Sequence, residues 1–323
     1  MNDRSSRSQP VRALIVVGTR PEAIKLAPVI RACRRRDNGI EPLVCFTGQH
    51  REMLAQVAEY FSIEPDLDLD LMRRDQTLNS LAARCLEGLD AAIVRHTPDC
   101  IVAQGDTTSV MAASIAAHYR RTPFVHVEAG LRTGDKWQPF PEEINRRVAG
   151  VTADLHFAPT QKSRQNLLRE GVPDENISVT GNPVIDALQA VARLPVTPGF
   201  LDHLAGLGIP EPFRQPGVSV GDRSGPRLVL VTAHRRENFG APLENICAAL
   251  RSLAETYGNE IHLIYPVHLN PNVQEPVHRL LGEVPNITLL PPLDYLPMVH
   301  LIKQSTLLLT DSGGLQEEAP GLG

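Results

Sequence analysis

Apolar residues in this chain fall into short unbroken runs, and each run gives way to a stretch with helical spacing. Leu14–Val17 is the first run, followed by a predicted helix over 21–36; Leu43–Phe46 is the second, followed by a helix over 52–61. Pro28 falls inside the first helix and predicts a kink near Ile24. Ile101–Ala103, Phe124–Val127, Leu155–Phe157 and Ile177–Val179 continue the series, with helical stretches over 77–95, 107–120, 142–150 and 160–170. Continuous apolar strands alternating with helices predict βαβ units and a parallel sheet covered on both faces. The pattern breaks after Leu194, and 210–226, rich in Pro, Gly and polar residues, predicts a long exposed loop. Alternation then resumes, with strands over 228–231, 261–265, 287–290 and 306–309 and helices over 242–257, 273–281 and 296–303. The fold class is therefore α/β with two domains in series: a polar tail over 1–10, a first domain over 11–193 and a second over 194–323. Two such domains offer a cleft between the carboxyl ends of their sheets, where ligands bind in this architecture.

Composition narrows the function. A chain of 323 residues suffices for two cores. The net charge of −5 and an aromatic fraction of 4% argue against a nucleic-acid binder, which needs a basic surface and stacking side chains. No apolar run reaches the roughly 20 residues of a membrane span, and 1–10 lack the apolar core of a secretion signal, so a cytoplasmic location is expected. The five cysteines have no metal-ligand spacing, and Cys45 and Cys100 lie in apolar runs, which predicts buried free thiols. There is no H-E-x-x-H, Walker A loop or G-x-G-x-x-G after the first strand, so zinc hydrolysis, phosphoryl transfer and hydride transfer lose support.

The chemistry-bearing residues cluster at strand ends. After the last apolar run, Thr310–Glu318 reads as a strand breaking into a glycine turn that opens a helix. Free N–H groups there favour phosphate, and carboxylates one turn later can take hydroxyls, which suggests a nucleotide or nucleotide sugar. Arg20 and Lys25 stand at the start of the first helix, within reach of an anion. Asp106 sits where strand becomes helix and is a good N-cap. His126 and Glu128 are two apart on a strand, so they share one face at its carboxyl end. Glu142 and Glu143 open a helix with Arg146 and Arg147 behind them. Glu143 with Arg147 reads as an ion pair on a solvated face, whereas Glu142, beside Pro139 and Pro141, is the candidate for the cleft. His234, followed by Arg235 and Arg236, suits an anionic ligand, and His268 repeats the placement one strand later.

Eight segments in order resemble the bacterial non-hydrolysing UDP-N-acetylglucosamine 2-epimerases: Gly18–Lys25, Thr47–Met53, Gly105–Thr108, His126–Gly134, Pro141–Arg146, His234–Asn238, Tyr265–Pro271 and Asp311–Pro320. The resemblance implies two Rossmann-like domains facing across a cleft, the GT-B arrangement, with UDP held mainly by the second. By position it gives Asp106, Glu128, Glu142 and His234 as catalytic residues and Arg20 and Lys25 as substrate contacts. It places the diphosphate at Ser312, Gly313 and Gly314, ribose at Glu318 and uracil beside Leu293 and Met298. Gln49, His50, Glu142, Arg235 and His268 match positions around a second, activating UDP-N-acetylglucosamine. The implied reaction inverts C2 by elimination and re-addition of UDP through 2-acetamidoglucal, without cofactor or metal, in a homodimer. A GT-B glycosyltransferase, a hydrolysing epimerase and an inactive nucleotide-sugar-binding fragment are the alternatives. Members of the family continue past the position of Gly323, so the second domain is expected to be incomplete and this length poorly soluble or inactive.

Overall fold

The computed structural model describes residues 9–35, 39–48, 60–71, 73, 76–215 and 225–322. The chain divides into two units, the first ending at Ala187 and the second beginning at Leu188.

The first unit is built on strands β1 (Val11–Val17), β2 (Ile40–Phe46), β3 (Leu67–Asp68), β4 (Cys100–Gln104), β5 (Phe124–Val127), β6 (Leu155–Ala158) and β7 (Ile177–Val179). They form one parallel sheet in the order β3-β2-β1-β4-β5-β6-β7. Leu14, Ile15, Val16 and Val17 are at most 1% exposed, which is why β1 reads as an unbroken apolar run: both faces of the sheet are covered. Helices α1 (Arg20–Cys33), α2 (Leu78–His96), α3 (Thr108–Arg120), α4 (Glu142–Thr152), α5 (Gln161–Arg169) and α6 (Pro183–Ala192) accompany these strands. Ala112, Ala113, Ala116 and Ala117 of α3 are buried, and their small side chains let that helix lie close against the sheet. α1 continues past Pro28 to Cys33.

The strand order reverses between β1 and β4, the switch point at which α/β sheets bind their ligands. Val16 pairs with Ala103, and Gln104 with Val127, so the turns after β1, β4 and β5 emerge side by side.

The second unit carries α7 (Pro198–Gly206), β8 (Arg227–Thr232), α8 (Ala241–Tyr257), β9 (Ile261–Pro266), α9 (Pro271–Leu281), β10 (Ile287–Leu290), α10 (Tyr295–Gln304), β11 (Leu307–Thr310) and α11 (Gly313–Glu318). Its parallel sheet runs β10-β9-β8-β11. One face is closed by Leu243, Cys247, Val273 and Val277, the other by Leu204, Phe213, Leu301 and Ile302. Thr310 pairs with Thr232, which brings the turn after β11 beside the turn after β8.

Three local expectations change. α6 and α7 occupy a stretch for which the pattern predicts no element; Val184, Ala187, Leu188 and Val191 supply the buried stripe of α6. The predicted loop at 210–226 is anchored at its start, because Phe213 is 1% exposed and its carbonyl lies 2.9 Å from His300 Nε2. All five cysteines are free thiols, but Cys33 and Cys100 are only half-buried.

Candidate active site

In the first unit, the turn after β1 lies against α3. A Cβ at Gly18 would stand 2.6 Å from Ser109 Oγ and 2.8 Å from Ser109 Cβ, so only glycine permits this approach. Arg20 and Lys25 leave the turn on α1, both half-buried. Lys25 Nζ donates to both carboxylate oxygens of Glu128 at 2.8 Å. Glu128 also accepts from Asn182 Nδ2 at 2.9 Å and from the Gln104 amide. Its side chain is 5% exposed, so this is a carboxylate held out of water by one cation and two amides. β5 ends at Val127 and Glu128 takes φ 63°, so strand alternation does not govern where its side chain lies. His126 remains in the strand, buried, with Nε2 2.8 Å from the Gly105 carbonyl. Burial pushes its pKa down to about 4, so it is a neutral ring that fixes the Gly105 turn.

Asp106 is not the N-cap of α3. Thr107 takes that role, accepting from Val110 N at 3.4 Å, because its hydroxyl sits one residue nearer the helix. The Asp106 carboxylate is thereby left available for Arg146, whose Nη2 is 3.0 Å from Oδ2. Burial pushes the Asp106 pKa up to about 6; Arg146 opposes the rise, while the charges of Glu128 and Glu142 add to it. Asp106, Glu128 and Glu142 are thus brought together electrostatically, with Lys25 and Arg146 among them. Glu142 stands half-buried at the start of α4. Glu143 is not on a solvated face: it is 1% exposed, accepts from Thr133 N at 3.1 Å and Gly134 N at 3.3 Å, and lies 3.6 Å from Arg146 Nε. Arg147, one residue further round the helix, is the exposed one.

In the second unit, Asp311 organises two adjacent turns. Its Oδ2 accepts from His234 N at 2.9 Å, Arg235 N at 2.8 Å and Asn238 Nδ2 at 2.9 Å. Its Oδ1 faces His234 Nδ1 at 3.8 Å. Burial lowers the His234 pKa against the opposing pull of Asp311, with His268 and Arg235 lowering it further. The His234 and His268 rings stack at 5.4 Å between centroids. Ser312 N donates to Thr310 Oγ1 at 2.9 Å, and Ser312 stands at the N-cap position of α11 without a capping bond from its hydroxyl. A Cβ at Gly313 would meet an Arg235 guanidinium nitrogen at 3.3 Å, so this arginine lies over the glycine turn. Ser312, Gly313, His234, Arg235 and His268 are therefore neighbours. Glu318 ends α11, and Leu293 and Met298 are half-buried against the same core cluster as Leu315. Gln49 and His50 lie outside the described residues.

The family model for UDP-N-acetylglucosamine 2-epimerase matches residues 31–323. The chain is 51% identical over 313 residues to the UDP-N-acetylglucosamine 2-epimerase of Salmonella typhimurium, covering 97% of this chain and 80% of the relative. The chain belongs to the UDP-N-acetylglucosamine 2-epimerase family. The Escherichia coli K12 relative is 50% identical with the same coverage. Among solved structures, the UDP-N-acetylglucosamine 2-epimerase of Neisseria meningitidis bound to UDP-GlcNAc superposes with a TM-score of 0.80 at 43% identity, covering 97% of this chain and 81% of that one. A Listeria monocytogenes homologue gives 0.84 at 41%, covering 97% and 77%. The two parallel-sheet units are the Rossmann-like domains of this GT-B-like epimerase family.

Sequence reading of this family member passes over Gln104, Asn182 and Asp311, which hold Glu128 and His234. The contacts of Asn182 and Asp311 span 54 and 77 residues, and no local spacing signals them. Asp311, placed at the end of an apolar strand ahead of the glycines, carries the one usable signal.

Proposed function

We propose that the chain interconverts UDP-N-acetylglucosamine and UDP-N-acetylmannosamine by elimination and re-addition of UDP. The observation that carries the reading is the acid cluster of the first unit: Asp106, paired with Arg146 at 3.0 Å and pushed up to about 6, with Glu128 and Glu142 near enough to add to that rise. A group with such a pKa can both take and return a proton near neutral pH. A carboxylate removes the C2 proton, the C1–O bond breaks with its electron pair leaving on the UDP β-phosphate, and 2-acetamidoglucal remains. UDP then adds back to C1 while a proton is delivered to the opposite face of C2. Asp106, Glu128 and Glu142 are the three groups from which the two proton-transfer residues are drawn.

The departing diphosphate is assigned to Ser312, Gly313 and Gly314, with charge supplied by Arg20 and Arg235 and a hydrogen bond by the His234 ring. Glu318 takes the ribose hydroxyls, and Leu293 and Met298 flank uracil. His268 and Arg235 belong, with Gln49, His50 and Glu142, to a site for a second UDP-N-acetylglucosamine. A homodimer in the cytoplasm completes the reading. Relatives with printed epimerase names at about half identity, and a solved relative bound to UDP-GlcNAc, support it.

The test is proton NMR of UDP-N-acetylglucosamine alone in D2O with the enzyme. Loss of the C2 proton signal and growth of UDP-N-acetylmannosamine are expected. Turnover only on adding an acceptor would make the chain a glycosyltransferase, release of free N-acetylmannosamine a hydrolysing epimerase, and UDP binding without exchange a nucleotide-sugar binder.

A further inference from the structure

Glu22 is part of the Gly18–Lys25 segment but has no role in the reading above. It is 2% exposed, which is rare for a carboxylate unless its oxygens are occupied. Both are. Oε2 accepts from Gly18 N at 2.5 Å and Thr19 N at 3.0 Å, and Oε1 accepts from Thr107 Oγ1 at 2.5 Å. The first two contacts close the turn after β1. The third crosses 85 residues to the turn after β4, the turn that carries Asp106. Ser109 of the same α3 start packs on Gly18 and shares a hydrogen bond with Thr47 at 3.0 Å, so the two turns are pressed together around Glu22. The charged and titratable groups sensed from these elements are Asp106 and, behind the turn, Cys85.

We propose that Glu22 is a positioning residue for the reaction: it ties the turn bearing Arg20 and Lys25 to the turn bearing Asp106, and so sets the spacing of the acid cluster. Lys25 in turn holds Glu128, so the tie reaches two of the three carboxylates. Glu22 makes no contact with the reacting atoms in this scheme and acts through Thr107 and the Gly18 turn. The inference rests on the epimerase reading for its catalytic half.

Glu22→Ala and Thr107→Val break the tie, whereas Glu22→Gln keeps it: the amide oxygen accepts both N–H groups and the amide NH2 donates to the Thr107 hydroxyl, which then acts as acceptor. The experiment is C2-proton exchange in D2O on folded protein, with kcat and KM measured separately, beside amide hydrogen exchange at Gly18 and Gly105. Glu22→Ala and Thr107→Val are expected to lower kcat at least tenfold with KM within threefold, and to speed exchange at these amides. Glu22→Gln is expected to restore kcat to within threefold of wild type. Equal kcat in Glu22→Ala and wild type, or a Glu22→Gln as impaired as Glu22→Ala, would overturn the proposal. Should the wild type show no C2 exchange, the epimerase reading fails and takes the catalytic half with it. Unchanged amide exchange in Glu22→Ala would remove the tie as well.

Discussion

Lys25→Met tests whether the first unit holds Glu128 as an ion-paired carboxylate. Met keeps the length and apolar stem of lysine and removes the charge. In the native arrangement Lys25 Nζ is 2.8 Å from both Glu128 oxygens, with side-chain exposures of 22% and 5%. Removing one partner of a buried pair costs about 3–5 kcal/mol, because the other charge stays behind without its counter-ion. Glu128 keeps the Asn182 and Gln104 amides, which places the expected loss near the lower end, about 3 kcal/mol, or roughly a hundredfold in the folding equilibrium. Adding Glu128→Gln removes the stranded charge. The double variant should therefore be about 2 kcal/mol more stable than Lys25→Met alone, a non-additivity that only a direct interaction produces. Urea unfolding followed by Trp137 fluorescence is the assay, since this is the sole tryptophan and lies in the same unit. A loss below about 1 kcal/mol in Lys25→Met, or a double variant no more stable than it, would refute the reasoning.

Further outcomes can be measured on the same protein. Glu128→Gln should abolish C2 exchange while calorimetry shows UDP binding within a few-fold of wild type; undiminished turnover would remove Glu128 from the mechanism. Burial raises the Glu22 pKa from 4.5 to about 7. A carboxyl raised on folding binds more protons in the folded state across that window, so its contribution to stability falls as pH rises from about 4.5 to 7. Glu22→Gln should therefore gain about 3 kcal/mol relative to wild type between those limits, read from urea midpoints; a constant difference would refute the shift. Asp311→Ala strips the acceptor from His234 N and Arg235 N, for a loss of about 1–3 kcal/mol and at least tenfold weaker UDP binding by calorimetry. Gly130→Ala would place a Cβ 2.3 Å from the Ser163 carbonyl oxygen at φ 86°, so soluble expression should fall sharply, as a solubility gel would show.

The sheets were legible because burial on both faces writes itself into sequence as unbroken apolar runs: Leu14–Val17 and Leu228–Val231 could be little else. The family motifs marked the strand ends where chemistry gathers. The environment of each site residue was less accessible. Asp106 looked like a cap because a carboxylate and a threonine compete for that position, and only the backbone path decides in favour of Thr107. Glu143 carries an ordinary surface-pair spacing, yet the Thr133–Gly134 turn folds over it. Asp311 and Glu22 act by joining turns from different βα units, so their roles emerge only once strand order is known.

The left-handed backbone of Glu128, at φ 63°, bears on how this enzyme responds to selection. Asparagine tolerates that conformation better than glutamate does. A laboratory screen for heat resistance alone would drift toward Glu128→Asn with an uncharged partner at position 25, and would collect durable proteins that no longer turn over. On the proton-transfer role proposed for Glu128, retaining a glutamate there sets catalysis against durability at this single bend of the chain.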